Sequence, residues 1–296
     1  MRRPLARVVS GLLTKKTSPR VKSVTSSVPL SFVLISQNIY PDPARVIAEA
    51  GRLGLGLAHE MGEPNVLNFR IEGGGDLIVM PVDTPHPDAA TMPVGPASPE
   101  PSIIADHVGH IVATALNLPE EPMSHDVVMG IVTTALIHSS PAIAAMLGHG
   151  AIFHRSDMFA AFVEAAGTDI ATEITVDITA ARESEDRMSF LTHGLGRYGR
   201  EEFYVTSLVN SNGALDYVMA LAKLMITDQN KVLLTGDIVG RTPEEHILVQ
   251  RVPSPIDGKP SVIRLDMDTE APGSAAFAPK KTGWFRSIGG SNRKRR

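Results

Sequence analysis

The chain has 296 residues, 43% hydrophobic and 20% charged, enough to bury one large core or two smaller ones. It contains no cysteine, which excludes disulfides, thiolate metal sites and cysteine nucleophiles. Its net charge of −4 hides a segregation: residues 42–270 hold all 32 acids but only 14 of the 28 cations, a charge of −18, while seven cations precede that stretch and seven follow it. An acidic body repels phosphates and argues against nucleic acid binding by the folded core.

Residues 1–28 form a basic leader with no acid. Within it Leu5, Val8, Val9, Leu12 and Leu13 recur at the spacing of one helical face. Three readings stand side by side: a flexible leader, an interfacial amphipathic helix, and a transit peptide. From about Pro29 the chain is expected to fold. SFVLIS (31–36) reads as a strand, and PDPARVIAEAGRLG as a helix with Pro43 at its start. NVLNFRI and DLIVMPV flank the glycines of 72–75 as a hairpin. The Pro-rich segment DTPHPDAATMPVGPASPEP is a loop, and a helix is expected from about Ser102, passing into or followed by HIVATAL. SHDVVMGIVTTALIHSS (124–140) reads as a helix capped by Ser124, AAMLGHGAIFH as a turn into a short strand, and SDMFAAFVEAA as a helix capped by Ser156.

Residues 166–187 are polar and read as a boundary or a long excursion. Beyond them come a strand (188–194), a glycine turn, a strand (202–209), a helix (213–227), and three strand-like runs, KVLLTGDIVG, HILVQRV and SVIRLDM. Hairpins mixed with helices predict an α+β fold with mixed or antiparallel sheet. The expected organisation is a domain over 29–270, with sub-halves 29–165 and 188–268, between the leader and a basic flexible tail at 271–296.

Gly194, Gly196 and Gly199 spell the G-x-G-x-x-G of dinucleotide-binding loops. That chemistry needs a helix after the glycines, whose N-terminus meets the pyrophosphate. REEFYVTSLV predicts a strand there, so the glycines are expected to turn a corner between strands. His107 and His110 in ADHVGHIV would share a face if helical, and would make half of a zinc or other divalent metal site, with a third ligand from His86, His125, His138, His149, His154 or His193. The more ordinary expectation is no cofactor, with one histidine packed near a helix end and the other solvated. There is no G-x-S-x-G, and paired acids such as Glu201–Glu202 read as solvated charge. Asp237 in TGDIVG reads as the acceptor of a tight turn.

The motifs THGLGRYGREEF and GDIVG, with MPVDTPHP and GHIVAT upstream, resemble the bacterial family catalogued as domain of unknown function 4261. The resemblance spans most of 31–268 and implies an α+β domain treated as a single unit. Its motif positions are Pro81, Pro85, His110, Gly194, Gly199, Glu202, Gly236 and Asp237; Thr192 and Leu195 also match, while His193 and Phe203 depart from the pattern. The family supplies no activity to carry over. Two functions from different classes are open. The first is a non-enzymatic, cytoplasmic binding or accessory module whose acidic body engages a protein partner, with peripheral contact of the basic tails with an anionic membrane as an alternative setting. The second is a hydrolase-like or metal-dependent enzyme in which His110, His193, Glu202 and Asp237 meet in one cleft.

Overall fold

LSFVLI is apolar on both of its alternating sets of side chains, the pattern of a strand covered on two faces, and it forms the interior of a sheet. The computed structural model describes residues 28–63, 65–118, 121–209, 213–242, 245–256 and 260–267; the expectations for the leader and the basic tail lie outside these. The chain divides into two compact units, with the division between Asp177 and Ile178, inside the stretch expected to be a boundary.

The first unit contains strands β1 (Leu30–Ile35), β2 (Leu57–Glu60), β3 (Leu67–Ile71), β4 (Asp76–Val82), β5 (Gly109–Leu116), β6 (Ala142–Leu147) and β7 (His154–Arg155). Its helices are α1 (Pro43–Arg52), α2 (Pro101–Ala105), α3 (Pro122–Ser139), α4 (Ser156–Ala166) and α5 (Thr172–Thr175). The strands pair antiparallel in the order β2-β3-β4-β5-β1-β6-β7. The β3–β4 hairpin turns on Gly73, Gly74 and Gly75, all at positive φ, a run that only glycine adopts without strain. Asp42 caps α1 by accepting from Ala44 N–H, and Pro43 takes the first helical position.

HIVATAL is a strand and not a helical continuation. Gly109 lies so close to Val82 O and Asn38 Oδ1 that a Cβ would meet them at 2.7 and 2.5 Å, so the chain enters the sheet there without a side chain. Ile111, Ala113 and Ala115 then face the main core with Val33, Ile35, Leu77 and Val79, while His110, Val112 and Thr114 face the other side. Two helix starts also differ from expectation. α3 begins at Pro122, whose missing N–H needs no cap, and Ser124 lies inside it; α4 has Arg155 at the capping position, with Ser156 Oγ donating to Ala142 O.

α3 packs on the sheet between α1 and α4, so even its polar positions are enclosed. Thr133 and Thr134 are both fully buried. Thr133 Oγ1 donates to Met129 O at 2.6 Å, whereas Thr134 Oγ1 has no partner among the described residues. Thr134→Val keeps the shape and removes a stranded hydroxyl. It is expected to raise the stability of this unit by about 1 kcal/mol, and Thr133→Val is not. Denaturant midpoints of the two variants against wild type check this, and equal shifts would refute the distinction.

The second unit has β8 (Asp177–Arg182, of which Ile178 onward belongs here), β9 (Arg187–His193), β10 (Phe203–Leu208), β11 (Ile238–Val239), β12 (Ile247–Val252), β13 (Val262–Asp266) and α6 (Ala214–Thr227). The order is β11-β12-β13-β10-β9-β8, with β10 parallel to β13 and antiparallel to β9. The stretch read as an excursion thus holds α5 and β8, and of KVLLTGDIVG only two residues are strand. Together the units make an α+β protein. Among the described residues no helix is long and apolar enough to cross a membrane.

Candidate functional site

The glycine corner lies between β9 and β10. Gly194 (φ 123°) leaves the strand, Leu195–Tyr198 form a 3-10 turn, and Gly199 (φ 68°) reverses the chain in the left-handed region. Buried Leu195 and Tyr198 anchor the turn from below. Arg200 fastens it to the C-terminal end of α6, donating from Nε to Met225 O at 2.8 Å and from Nη2 to Asp228 O at 3.0 Å. A strand comes next, as the sequence predicts, so no helix N-terminus faces the glycines.

The loop does hold an anion, and the anion is its own. Glu202 Oε1 accepts from the N–H groups of Gly194 (3.0 Å) and Gly196 (3.1 Å), and Glu202 Oε2 accepts from Thr192 Oγ1 at 2.7 Å. Thr192 Oγ1 in turn accepts from Phe203 N–H at 2.8 Å. Successive N–H groups that converge on an oxygen are the chemistry of a phosphate cradle, here filled from inside. Burial pushes the Glu202 carboxyl above its ordinary value, and the Thr192 hydroxyl and the N–H groups of Gly196, Gly194 and Leu195 pull it back. An acid of raised pKa suits proton transfer, but both oxygens of this one are engaged by the corner itself.

The structure disperses the other sequence candidates. His193 neighbours Thr192 on β9 but points to the opposite face, with Nε2 3.0 Å from Thr179 Oγ1. Asp237 closes a turn at Gly236 (φ 95°) by accepting from Leu234 N–H at 2.7 Å. It leads into β11, separated from β10 in the strand order by β12 and β13. His110 belongs to the first unit. Of the four candidates, His193 and Glu202 are thus brought to one corner, each bound to different partners. Of the other motif positions, Pro81 lies within β4 and Pro85 in the loop after it.

His107 and His110 do not share a helical face. His107 lies in the turn after α2, and His110 is the second residue of β5. Both ring nitrogens of His107 are used: Nδ1–H donates to Ile104 O, and Nε2 accepts from His86 N–H at 2.7 Å. His110 Nδ1–H donates to Thr84 O at 2.8 Å. A metal on this pair would have to displace hydrogen bonds of the fold. Among the described residues no group of three or more histidines and acids has the geometry of a metal site.

Two buried acids carry no mark in the sequence. Asp126, in α3, lies 3.7 Å from His149 Nδ1, and Asp177 Oδ1 lies 3.3 Å from His154 Nε2 while its Oδ2 accepts from Ala151 N–H. Both carboxylates grip the loop between β6 and β7. Nothing in their spacing distinguishes them, because solvated charge is the default for an acid. The first unit also carries an open sheet face. Beyond its helices' side, Phe32, Val112 and Met80 form one cross-strand row, and Thr114 pairs with Ile78 in the next. Met80 is 45% exposed and Leu116, on the same face, 37%.

No family model, no curated protein and no solved structure matches the chain. The motif resemblance therefore lends no weight to a function, which rests on the geometry alone.

Proposed function

We propose that the chain is a non-enzymatic binding module whose acidic body engages a protein partner of basic and apolar surface. The observation that carries the reading is the open face of the first unit's sheet, where Met80 and Leu116 stand in water beside Ile78 and Val112. Contiguous apolar side chains left exposed on a sheet favour association. The charge of −18 over residues 42–270 selects a basic partner and would steer its approach. A second support is the use already made of the polar candidates. Glu202 serves the glycine corner, Asp237 its own turn, and His110 and His193 bond Thr84 and Thr179.

The test immobilises the full chain and identifies proteins retained at about 50 mM salt and released by about 500 mM, where exposed charge is screened. The expected partner is basic. Met80→Glu, checked as folded by circular dichroism, is expected to weaken its retention at least tenfold, since burying a carboxylate in an apolar contact is strongly unfavourable. Retention unchanged in Met80→Glu would remove this face from the proposal. A hydrolytic or metal-dependent turnover abolished by Glu202→Gln would favour the enzymatic alternative over it.

A further inference from the structure

The loop after β4 folds over part of the same sheet face. Ala89 and Ile104 are buried against Leu34, Ala144, Met146 and Phe153, with Phe32 and Met92 at the margin. Three imidazoles fasten its beginning. The His86 ring sits edge-on among Phe32, His110 and Phe153, at centroid distances of 5.0, 5.2 and 5.6 Å.

The hydrogen-bond directions fix which nitrogens carry protons. A carbonyl only accepts and a backbone N–H only donates. His107 Nε2, which receives His86 N–H, must therefore be a bare lone pair, and so must His86 Nδ1, which receives Asp88 N–H at 3.3 Å. The bonds donated from Nδ1, by His107 to Ile104 O and by His110 to Thr84 O, survive protonation; the two accepted ones do not. A proton on the bare nitrogen of His86 or His107 replaces an acceptor with a donor facing a donor. It also sets a positive charge beside two more imidazoles.

We propose that His86, His107 and His110 form an acid-sensitive latch, which in mild acid releases residues 83–92 and uncovers the apolar sheet face around Phe32, Leu34, Met146 and Phe153. The latch is independent of what binds the face that is already open.

Burial holds the His86 imidazole below its ordinary value of 6.5, the charges of His110 and His107 add to that, and Asp88 opposes it. The other acids near the latch are Asp83, which accepts from Tyr40 Oη at 3.1 Å, and Asp106, next to His107 in the chain. Phe32 and Phe153 contribute no charge. With the strap released, His86 binds a proton that the latched ring excludes, so latching is fully effective above pH 6.5 and weakens as pH falls through it. The proton excluded from His86 shifts the balance toward release by roughly tenfold per pH unit below that value, until the depressed value of the latched ring is reached.

Hydrogen exchange on the full chain at about pH 7.5 and 5.5, corrected for intrinsic chemistry, reads the latch directly. Exchange over 83–92 is expected to accelerate roughly tenfold in acid, while the β3–β4 hairpin stays protected and an apolar dye gains fluorescence. His86→Asn with His107→Gln keeps an acceptor at each position and cannot take the proton, so its acid response is expected to vanish. Proton NMR gives the second measurement, in which His86 should titrate below its ordinary value. Any of three results would overturn the latch: an unchanged strap in wild type, loosening of hairpin and strap together, or a His86 midpoint at or above the ordinary value.

Discussion

Replacing Glu202 with alanine is expected to destabilise the second unit by about 2–4 kcal/mol, although the residue lies in a loop. The carboxylate is the shared acceptor for Gly194 N–H, Gly196 N–H and the Thr192 hydroxyl. Truncation strands these donors together, and each buried unsatisfied donor costs about 1–3 kcal/mol, less where water can enter. Glu202→Gln retains an acceptor for the two glycines. It must, however, turn its NH2 toward Thr192, whose oxygen already accepts from Phe203 N–H; a loss of about 1 kcal/mol is expected.

The emptied cradle supplies its own control. Formate or acetate at tens of millimolar is expected to restore part of the stability of Glu202→Ala and to leave wild type unaffected. The pH dependence has a definite sign. Burial raises the folded carboxyl's pKa, so the folded state holds its proton more tightly than the unfolded chain does. The contribution of Glu202 to stability therefore declines as pH rises from the ordinary carboxylate range through the folded value, and is constant above it. Glu202→Gln should abolish that slope. Hydrogen exchange over β9 and β10 measures all three effects, and a Glu202→Ala variant as stable as wild type would show that the corner does not depend on its anion.

What is legible in the sequence is what local chemistry decides. Pro43 with Asp42, the three glycines of the hairpin and the periodicity of α4 and α6 specify their elements without help from the rest of the chain. HIVATAL is ambiguous because a short apolar run fits a buried strand and a buried helix equally; its place between β1 and β4 decides it. The same ambiguity misplaces the histidines. His107 and His110 are neighbours of function only through His86, which stands in a Pro-rich loop with no periodicity to mark it. At the glycine corner the letters are visible, and so is the strand that follows them. Glu202 as the loop's own anion is not visible, because it depends on β10 returning antiparallel to β9 and bringing Glu202 back to Thr192.

The largest loss in the first unit is expected from Asp177→Ala, about 3–5 kcal/mol. Asp177 is 3% exposed, receives Ala151 N–H on one oxygen and faces His154 Nε2 with the other. Gly150 makes this approach possible, since even a Cβ there would lie 3.3 Å from Asp177 Oδ2. Alanine leaves a buried N–H and a buried imidazole facing an empty space, and His154, itself 6% exposed, cannot turn to water for a substitute. Asp177→Asn separates the two roles. Its carbonyl can still take Ala151 N–H, while its NH2 suits His154 only if Nε2 is a lone pair. A loss of about 1 kcal/mol would mean that the ring can present a lone pair at Nε2, and a loss close to that of alanine would mean that Nε2 keeps the hydrogen it directs at the native carboxylate. Hydrogen exchange over 142–155 localises the effect, because the carboxylate ties down the β6–β7 loop and its loss should release that loop before it releases the sheet. Stability within about 1 kcal/mol of wild type in Asp177→Ala would show that the loop is held by its packing alone.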